Sequence, residues 1–187
     1  MTAPFIDWPI YKPTAEKNLY GWLSHEEHFA RLLKDRTDPI VIEIGSFYGK
    51  TAHHLLSTYP TMQLYCIDPW MPYAELTKYD MDLVFKQWQT NLWEFRDRVE
   101  ALRMTSVEGL LTLENYYVDL VYIDGAHDEM HCYSDVAVAS MLHPSATICG
   151  DDYNMPGVRK AVNLFAKENN LTIKHDTDHS SFWEFVQ

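Results

Sequence analysis

Apolar positions along this chain follow two patterns, short unbroken apolar runs and longer segments in which apolar residues recur at helical spacing. The clearest run is Ile40–Ile44, which is almost continuous and rich in β-branched residues, as is typical of a strand buried on both faces of a parallel sheet. Gly45 and Gly49 follow the run, and residues 50–57 then return to helical spacing. The pattern predicts a central strand, a glycine turn and a helix, and such a turn lets backbone approach a ligand.

The same alternation predicts a repeated order of strands and helices. A helix within 19–34 carries a start signal, Ser24 followed by Glu27, and two last strands, 171–174 and 181–186, have no helix between them. We therefore expect an α/β, Rossmann-like fold: a seven-stranded, mostly parallel sheet with an antiparallel last strand and helices on both faces. The other predicted strands are 63–68, 99–104, 118–123 and 146–149, and the other helices are 81–95, 107–115, a segment after Gly125, and 158–167.

Helical spacing also predicts which residues of two helices face the sheet. In each helix the apolar residues recur so that they share one face. The segment 71–79, which precedes the first of these helices, is too long for a minimal turn and is expected to form part of a lid over a pocket. The residues expected on the buried faces are Leu83, Val84, Trp88, Leu92 and Phe95 in the first helix, and Met130, Tyr133, Val136 and Ala137 in the second.

Composition limits the classes of function. With 187 residues, 47% of them hydrophobic, we expect one domain, 1–187, made of an N-terminal arm and helix (1–37) and a core (38–187). A net charge of -12 argues against unaided binding to nucleic acid or to an anionic membrane surface, and no stretch reaches the roughly 18 apolar residues of a membrane helix. Three cysteines without CxxC spacing favour a reducing compartment. We expect a cytoplasmic protein with a small-molecule substrate and no nucleic-acid or membrane partner, and leave a homo-oligomer open.

Carboxylates follow several of the predicted strands. Asp68 comes about twenty residues after the glycine turn, where nucleoside-binding α/β folds place an acidic residue that accepts hydrogen bonds from ribose hydroxyls. Asp124 follows the strand at 118–123, and Asp151 and Asp152 follow the strand at 146–149. The carboxyl ends of parallel strands meet at the edge where open α/β folds bind ligands. Carboxylates gathered there repel one another unless a cation neutralises them, and all-oxygen ligation suits Mg²⁺ or Mn²⁺.

The glycine turn carries a recognisable pattern. It lacks the GxGxxG dinucleotide fingerprint, and its glycines are one residue too close for a Walker loop. What remains, Glu43-x-Gly45-x-x-x-Gly49, resembles the first motif of class I S-adenosylmethionine-dependent methyltransferases, although Phe47 stands where many members have a third glycine. The resemblance implies that this loop wraps the methionine moiety of S-adenosylmethionine. The cofactor contacts that it implies here are Glu43, Gly45, Ser46, Phe47, Gly49 and Thr51.

Four ordered motifs, IEIGSFYGKT, IDPW, IDGAH and GDDY, narrow the resemblance to small metal-dependent O-methyltransferases, a branch that includes macrolide-sugar O-methyltransferases and cephalosporin hydroxylase-like proteins. In that branch the last two motifs bind a divalent metal beside the cofactor. The resemblance implies Asp124, Asp151 and Asp152 as metal ligands, a catalytic role for Asp124, and His127 as general base. It does not carry over the substrate, because the macrolide enzymes have an additional N-terminal region. Further cofactor contacts that it implies are Asp68, Trp70, Thr105, Ser106, Asp124 and His127.

These residues predict methyl transfer to a small-molecule acceptor, with a hydroxyl as the expected target. A metal at the carboxylates would lower the pKa of a coordinated hydroxyl, and His127 could take its proton because an imidazole titrates near neutral pH. Alignment of nucleophile, methyl carbon and sulfur would supply most of the acceleration.

Other interpretations of the same residues stay open. Asp151 and Asp152 could instead cap the following helix or hold the turn. His127 and His131, one helical turn apart, could join Asp124 in a zinc site.

Other functions stay open as well. Trp70, Tyr73 and Tyr79 could pack in the interior or stack on a substrate. Another nucleotide-cofactor enzyme, such as an NAD-dependent oxidoreductase, would share the fold but is disfavoured by the missing GxGxxG pattern. A non-catalytic or partner-activating domain would also share it, because a fold does not fix a function.

Overall fold

One mixed sheet organises the computed structural model of the protein, which describes residues 5–23, 25–175 and 181–186. Its strands are β1 (Ile40–Ile44), β2 (Gln63–Ile67), β3 (Val99–Leu102), β4 (Leu120–Ile123), β5 (Thr147–Gly150), β6 (Thr172–His175) and β7 (Trp183–Val186). Their order across the sheet is β3-β2-β1-β4-β5-β7-β6. Strands β1 to β5 pair in parallel, whereas β7 runs antiparallel to both β5 and β6. The predicted fold, with its antiparallel last strand, is confirmed.

Helices follow most of the strands. They are α1 (Glu26–Leu33), α2 (Lys50–Thr58), α3 (Met81–Leu92), α4 (Ser106–Thr112), α5 (Glu129–Leu142) and α6 (Pro156–Asn169), and short 3-10 turns cover Ala74–Lys78 and Trp93–Phe95. The predicted start signal at Ser24 lies outside the described residues. Within the described part of the chain, no helix is both long and apolar enough to cross a membrane.

The central strands contribute side chains to two separate hydrophobic cores. Val41 packs with residues of α1, α2 and α3 on one face of the sheet, and Ile42 and Ile44 pack with residues of α4, α5 and α6 on the other. Burial on both faces explains why this strand is an almost unbroken apolar run. Glu43 is the exception, since its carboxylate is buried with 1% of the residue exposed.

Two residues predicted to face the sheet lie outside. Leu83 is 60% exposed and Met130 is 70% exposed, so both predictions are wrong. The buried stripe of α3 includes Val84 and Trp88, and the buried stripe of α5 runs through Cys132, Asp135, Val136 and Ala139. Met130 lies two residues before Cys132, which is about 200° around the helix, and so Met130 is on the side opposite the buried stripe. A polar residue, Asp135, takes an inward position on α5 that the apolar pattern could not show.

Candidate active site

The glycine loop, residues 45–49, joins β1 to α2 at the carboxyl edge of the sheet. Gly45 and Gly49 have left-handed backbone, with φ of 83° and 76°. A Cβ at Gly45 would lie 1.9 Å from the carbonyl oxygen of Asp124, and one at Gly49 would lie 2.8 Å from Cδ1 of Trp88. Glycine is therefore required at both positions, by conformation and by space. Phe47 also has a positive φ of 49°, at the position where the resembling family often has glycine.

Asp68, directly after β2, holds the glycine loop through hydrogen bonds. Its Oδ2 accepts from the backbone amides of Ser46 and Phe47 at 3.0 and 2.9 Å, and its Oδ1 accepts from the amide of Trp70 at 2.6 Å. Burial raises the pKa of Asp68, and the three amides and Arg103 oppose that rise. A carboxylate offers about four lone-pair sites, so a ribose would have to share this carboxylate with the loop.

A buried polar network lies beneath the loop and centres on Glu43. Its Oε2 accepts hydrogen bonds from the Ser46 hydroxyl and, at 3.3 Å, from the Cys66 thiol. The Trp88 indole in turn donates to the Ser46 hydroxyl at 2.8 Å. Burial raises the pKa of Glu43 to about 7, although the hydrogen bonds from Ser46 and Cys66 oppose the rise. Protonated and ionised Glu43 are therefore both populated near neutral pH.

Three of the predicted side chains meet at the ends of β4 and β5. One ligand atom from each of Asp124, His127 and Asp152 lies within 4.8 Å of the other two. The His127 Nε2 is 2.8 Å from Oδ2 of Asp152. Burial raises the pKa of Asp124 well above its usual value, and the charges of Asp151 and Asp152 raise it further. This arrangement can take up a cation, because negative charge is concentrated there at a cost.

Asp151 points toward different partners. Its Oδ1 lies 2.9 Å from Nε2 of His25, which is buried just before α1, and accepts hydrogen bonds from the Ser181 hydroxyl and the Asp152 amide. Burial raises the pKa of Asp151, but the hydrogen bonding and charge of His25, with the bonds from Ser181 and Asp152, outweigh it and lower the pKa. The Trp183 indole also donates to the Asp151 carbonyl at 2.9 Å. Metal ligation by Asp151 stays a prediction.

Glycines from three elements surround the backbone of residues 123–127. A Cβ at Gly45 would meet the Asp124 carbonyl oxygen at 1.9 Å, one at Gly150 would meet the Ile123 carbonyl oxygen at 2.3 Å, and one at Gly157 would meet the His127 carbonyl oxygen at 2.2 Å. The loop that carries Asp124 and His127 is thus fixed between the glycine loop, β5 and the first turn of α6.

The family of the chain follows from comparison with known proteins. A family model described as a methyltransferase domain matches residues 42–153, which is more than half of the chain and includes the whole segment from the glycine loop to Asp151 and Asp152. The chain belongs to this methyltransferase family. No curated protein matches its sequence.

Solved structures share the fold of this methyltransferase at low sequence identity. A TDP-rhamnose 3'-O-methyltransferase of calicheamicin biosynthesis has a TM-score of 0.60 and 12% identity, over 85% of this chain and 76% of its own. An O-methyltransferase from Bacillus cereus in complex with SAH has a TM-score of 0.56 and 17% identity, over 86% of this chain and 80% of its own. A precorrin 8W decarboxylase from Methanobacterium thermoautotrophicum has a TM-score of 0.64 and 12% identity, over 92% of this chain and 96% of its own. The structural likeness shows the fold, and the family match shows the class I S-adenosylmethionine-dependent methyltransferase predicted from the motifs.

Several predicted cofactor contacts have their side chains engaged within the methyltransferase. Thr105 caps α4 in a reciprocal pair with Glu108, and the hydroxyl of Ser106 donates to Oδ1 of Asp135. The Trp70 indole is 1% exposed and donates to the Phe47 carbonyl at 2.9 Å, so Trp70 packs in the interior. The prediction that Thr105, Ser106, Trp70 and the buried Thr51 contact the cofactor stays a prediction.

The structure does not assemble two of the alternatives left open by the sequence. The described residue that precedes α6 as its N-cap is Met155, with no side-chain cap, so neither Asp151 nor Asp152 caps that helix. The His131 Nδ1 lies 2.8 Å from Oδ2 of Asp128, away from the group formed by Asp124, His127 and Asp152. Asp151 does hold the turn, through the Asp152 amide at 2.6 Å.

Sequence reasoning missed His25, Gly157 and Asp135. His25 reaches Asp151 from a distant part of the chain, and no local pattern marks that contact. Gly157 follows Pro156 at the start of α6, where proline at the first helical position signals a helix start but nothing local signals a close approach to His127. Asp135 is 3% exposed, and burial raises its pKa to about 6 although the Ser106 hydroxyl opposes the rise.

We predict that Asp68→Ala weakens binding of S-adenosylhomocysteine by about 1 to 3 kcal/mol, because hydrogen bonds to a charged group are lost. Calorimetric titration measures this change. Loss of the loop bonds alone would also weaken binding, so adenosine and 2'-deoxyadenosine provide the matched comparison. The wild-type protein should prefer adenosine, and Asp68→Ala should bind both equally. A variant that keeps the wild-type preference would contradict the ribose assignment.

We predict that Glu43 makes stability fall as pH rises. A carboxyl whose folded pKa is raised from 4.5 to about 7 contributes stability that is complete below pH 4.5 and lost as pH rises through 7. The loss corresponds to roughly 3 kcal/mol. Asp124 and Asp135 also have raised pKa values and lose stability over the same range, so the difference between proteins is the test. From pH 5 to pH 8, urea unfolding should show a loss that is smaller in Glu43→Gln than in the wild-type protein by most of this amount. Equal losses in both proteins would contradict the assignment.

We predict that Gly157→Ala destabilises the protein by about 1 to 3 kcal/mol, because the added methyl group overlaps the His127 carbonyl. In an unobstructed helix the same change would stabilise by roughly 0.5 to 1 kcal/mol, so the sign of the change is the test. Lys167→Ala, at an exposed position of the same helix, serves as the control with an expected change within about 0.5 kcal/mol. The midpoint of urea unfolding gives both values, and a more stable Gly157→Ala protein would refute the close approach.

Proposed function

We propose that this methyltransferase transfers the methyl group of S-adenosylmethionine to a hydroxyl of a small-molecule acceptor, with Mg²⁺ or Mn²⁺ as second cofactor and His127 as base. One observation carries the proposal: Asp124, His127 and Asp152 converge within 4.8 Å at the ends of β4 and β5. This group adjoins the glycine loop, since a Cβ on Gly45 would collide with the Asp124 carbonyl. Acceptor chemistry and methyl donor would therefore lie side by side.

The donor set fits a divalent cation. Asp124 and Asp152 would hold it through carboxylate oxygens, the ligands that Mg²⁺ and Mn²⁺ prefer. The neighbouring carboxylates raise the pKa of Asp124, which indicates repulsion that a cation would relieve. Asp151 could complete the set only by sharing the carboxylate that now faces His25. When bound, the cation would lower the pKa of a coordinated acceptor hydroxyl.

His127 is placed to take the acceptor proton. Its side chain is 34% exposed, so a substrate can reach it. The Asp152 carboxylate, 2.8 Å from Nε2, would stabilise the imidazolium formed when His127 accepts a proton. In the reaction a bond forms between the acceptor oxygen and the methyl carbon as the bond from that carbon to sulfur breaks. The products are a methyl ether, S-adenosylhomocysteine and the proton held by His127, and no covalent enzyme intermediate is required.

The shape of the loop backbone supports in-line transfer. Displacement at a methyl carbon depends on alignment of oxygen, carbon and sulfur, and a misplacement of about 1 Å can cost on the order of 100-fold. Gly45, Gly150 and Gly157 leave no room for the backbone that carries Asp124 and His127 to shift toward them. The structure thus offers a rigid frame on which the acceptor oxygen can be aligned with the donor.

We predict that EDTA abolishes methyl transfer while leaving the affinity for S-adenosylhomocysteine nearly unchanged, because the cation would bind the acceptor and not the cofactor. Mg²⁺ or Mn²⁺ should restore turnover. Formation of S-adenosylhomocysteine with a panel of hydroxyl-bearing acceptors measures activity, and calorimetry measures cofactor and Mn²⁺ binding.

Asp152→Asn should weaken Mn²⁺ binding at least about tenfold, since an amide is a poorer ligand for a hard cation. His127→Ala should lower turnover by roughly 10² to 10⁴.

Asp128→Asn is the matched control for Asp152→Asn. Asp128 is a neighbouring carboxylate that accepts from the amide of His131 at the start of α5, a role that asparagine can keep. Its replacement should leave Mn²⁺ binding unchanged. Full turnover in the presence of EDTA, together with full turnover of Asp152→Asn, would rule out the metal and leave proximity and His127 as the mechanism.

A further inference from the structure

A group of aromatic side chains lies in and beside the glycine loop, and apart from Phe47 and Tyr79 its members have no part in the chemistry described so far. The rings of Tyr20, Phe47, Tyr48 and Tyr79 pack with centroid distances between 4.7 and 6.4 Å. Trp22 lies next to Tyr20 at 6.3 Å. We call these five residues the aromatic cluster. They come from three separate segments: the N-terminal arm, the glycine loop and the segment 71–79.

Part of the aromatic cluster is exposed to an unusual degree. The protein has six tryptophans, all within the described residues, and Trp22 is the exposed one, at 79%. Tyr20 is 47% exposed. Large aromatic rings contribute most when they are covered, and an exposed apolar patch commonly marks a binding site. Exposure of these two rings beside a cofactor loop therefore indicates a surface that something covers.

The exposed rings are held by the protein and are not on a loose arm. Asn91, which is fully buried, accepts from the Asn18 amide and donates to the carbonyl oxygens of Asn18 and Tyr48, each at 2.8 Å. Lys50 donates to the carbonyl oxygen of Gly21 at 2.7 Å. These bonds attach the arm to α3 and to α2, and they attach α3 to the glycine loop. They also engage the side chains of Asn91 and Lys50 with backbone carbonyl oxygens.

Two connections place the aromatic cluster next to the candidate active site. Phe47 belongs to the glycine loop, whose first residue, Gly45, touches the Asp124 carbonyl. The segment 71–79 has Tyr79 at one end, and nearer its other end the Tyr73 hydroxyl donates to Oδ2 of Asp128 at 2.6 Å. Asp128 directly follows His127. An acceptor with its hydroxyl at Asp124 and His127 would therefore have its far side near these rings.

We propose that the aromatic cluster binds the methyl acceptor and that the acceptor is a planar aromatic compound with a ring hydroxyl, of the phenol or catechol class. The proposal rests on the proposed function. The rings of the cluster meet at interplanar angles of 54° to 85°, and one more flat ring can extend this edge-to-face packing onto Tyr20 and Trp22. A glycoside would need several polar side chains for its hydroxyls; the tyrosine hydroxyls of Tyr20 and Tyr79 bond each other, and Asn91 and Lys50 bond backbone. A cationic ligand would meet Lys78, whose Nζ is 5.1 Å from the Tyr79 ring centroid.

Three probes separate the classes of ligand: catechol, methyl glucoside and choline, each titrated calorimetrically into the full-length protein saturated with S-adenosylhomocysteine. Catechol should bind, and the other two should bind much more weakly or not at all. Trp22→Ala should weaken catechol binding about tenfold, and Trp22→Phe should recover most of the loss because the ring is kept. Met141→Ala, at a position 67% exposed on α5, should leave the affinity for catechol unchanged.

The affinity for S-adenosylhomocysteine distinguishes the two proposals. It should be the same in Trp22→Ala and the wild-type protein, because the exposed indole is assigned to the acceptor. If S-adenosylhomocysteine itself does not bind, the proposed function fails first. If S-adenosylhomocysteine binds but catechol does not, or if Trp22→Ala binds catechol as the wild-type protein does, the aromatic acceptor is refuted and the methyltransferase stands. Preferred binding of methyl glucoside or choline would assign the surface to that class and also overturn the proposal.

Discussion

The close approach of the turn after β1 to the end of β4 is the contact on which the rest of the site depends. The register of these parallel strands sets Ile44 beside Ile123, so Gly45 and Asp124 leave the sheet side by side. The Asp124 amide donates to the Ile44 carbonyl at 2.8 Å and extends the sheet to the first residue of the site. Any side chain at Gly45 would break this contact. The loop that faces the cofactor in the proposed function and the carboxylate that faces the acceptor therefore cannot move independently.

The carboxylates at the carboxyl edge of the sheet fall into two groups, those whose pKa is raised and one whose pKa is lowered. Burial raises the pKa of Glu43 and Asp124, which marks them as carboxylates that a positive ligand would stabilise. At Asp151, His25 and Ser181 outweigh burial, so that carboxylate is compensated by the protein itself. A sulfonium and a divalent cation are both positive, and an edge with incompletely compensated carboxylates suits both. A net charge of -12 adds to the attraction for cations.

The sequence predicted the parts of this structure that local rules determine. Ile40–Ile44 matches β1 in both bounds, because a strand buried on both faces leaves an unbroken apolar run with glycine after it. The meeting of Asp124 with Asp152 followed from the rule that parallel strands end at one edge. The prediction that Leu83 is buried was wrong, because spacing alone does not determine which face of a short helix meets the sheet. The contact of His25 with Asp151 was missed, because it depends on how the first helix docks against the last strands.

Asp68 shows why the position of a motif residue can be predicted from sequence while its hydrogen-bond partners cannot. Three of its roughly four lone-pair sites accept backbone amides, two from the glycine loop and one from Trp70, so a ribose with two hydroxyls would have to displace at least one of them. Ser46 is the least able to leave, because its hydroxyl also bonds Glu43 and Trp88. The amide that a ribose hydroxyl would displace is then that of Phe47 or Trp70. Both residues have positive φ, at 49° and 40°. Release of either would allow its backbone to leave the left-handed region, which would offset part of the lost hydrogen bond. The carboxylate that would bind the ribose is thus the one that shapes the loop, and under that prediction cofactor binding and loop conformation would form a single equilibrium.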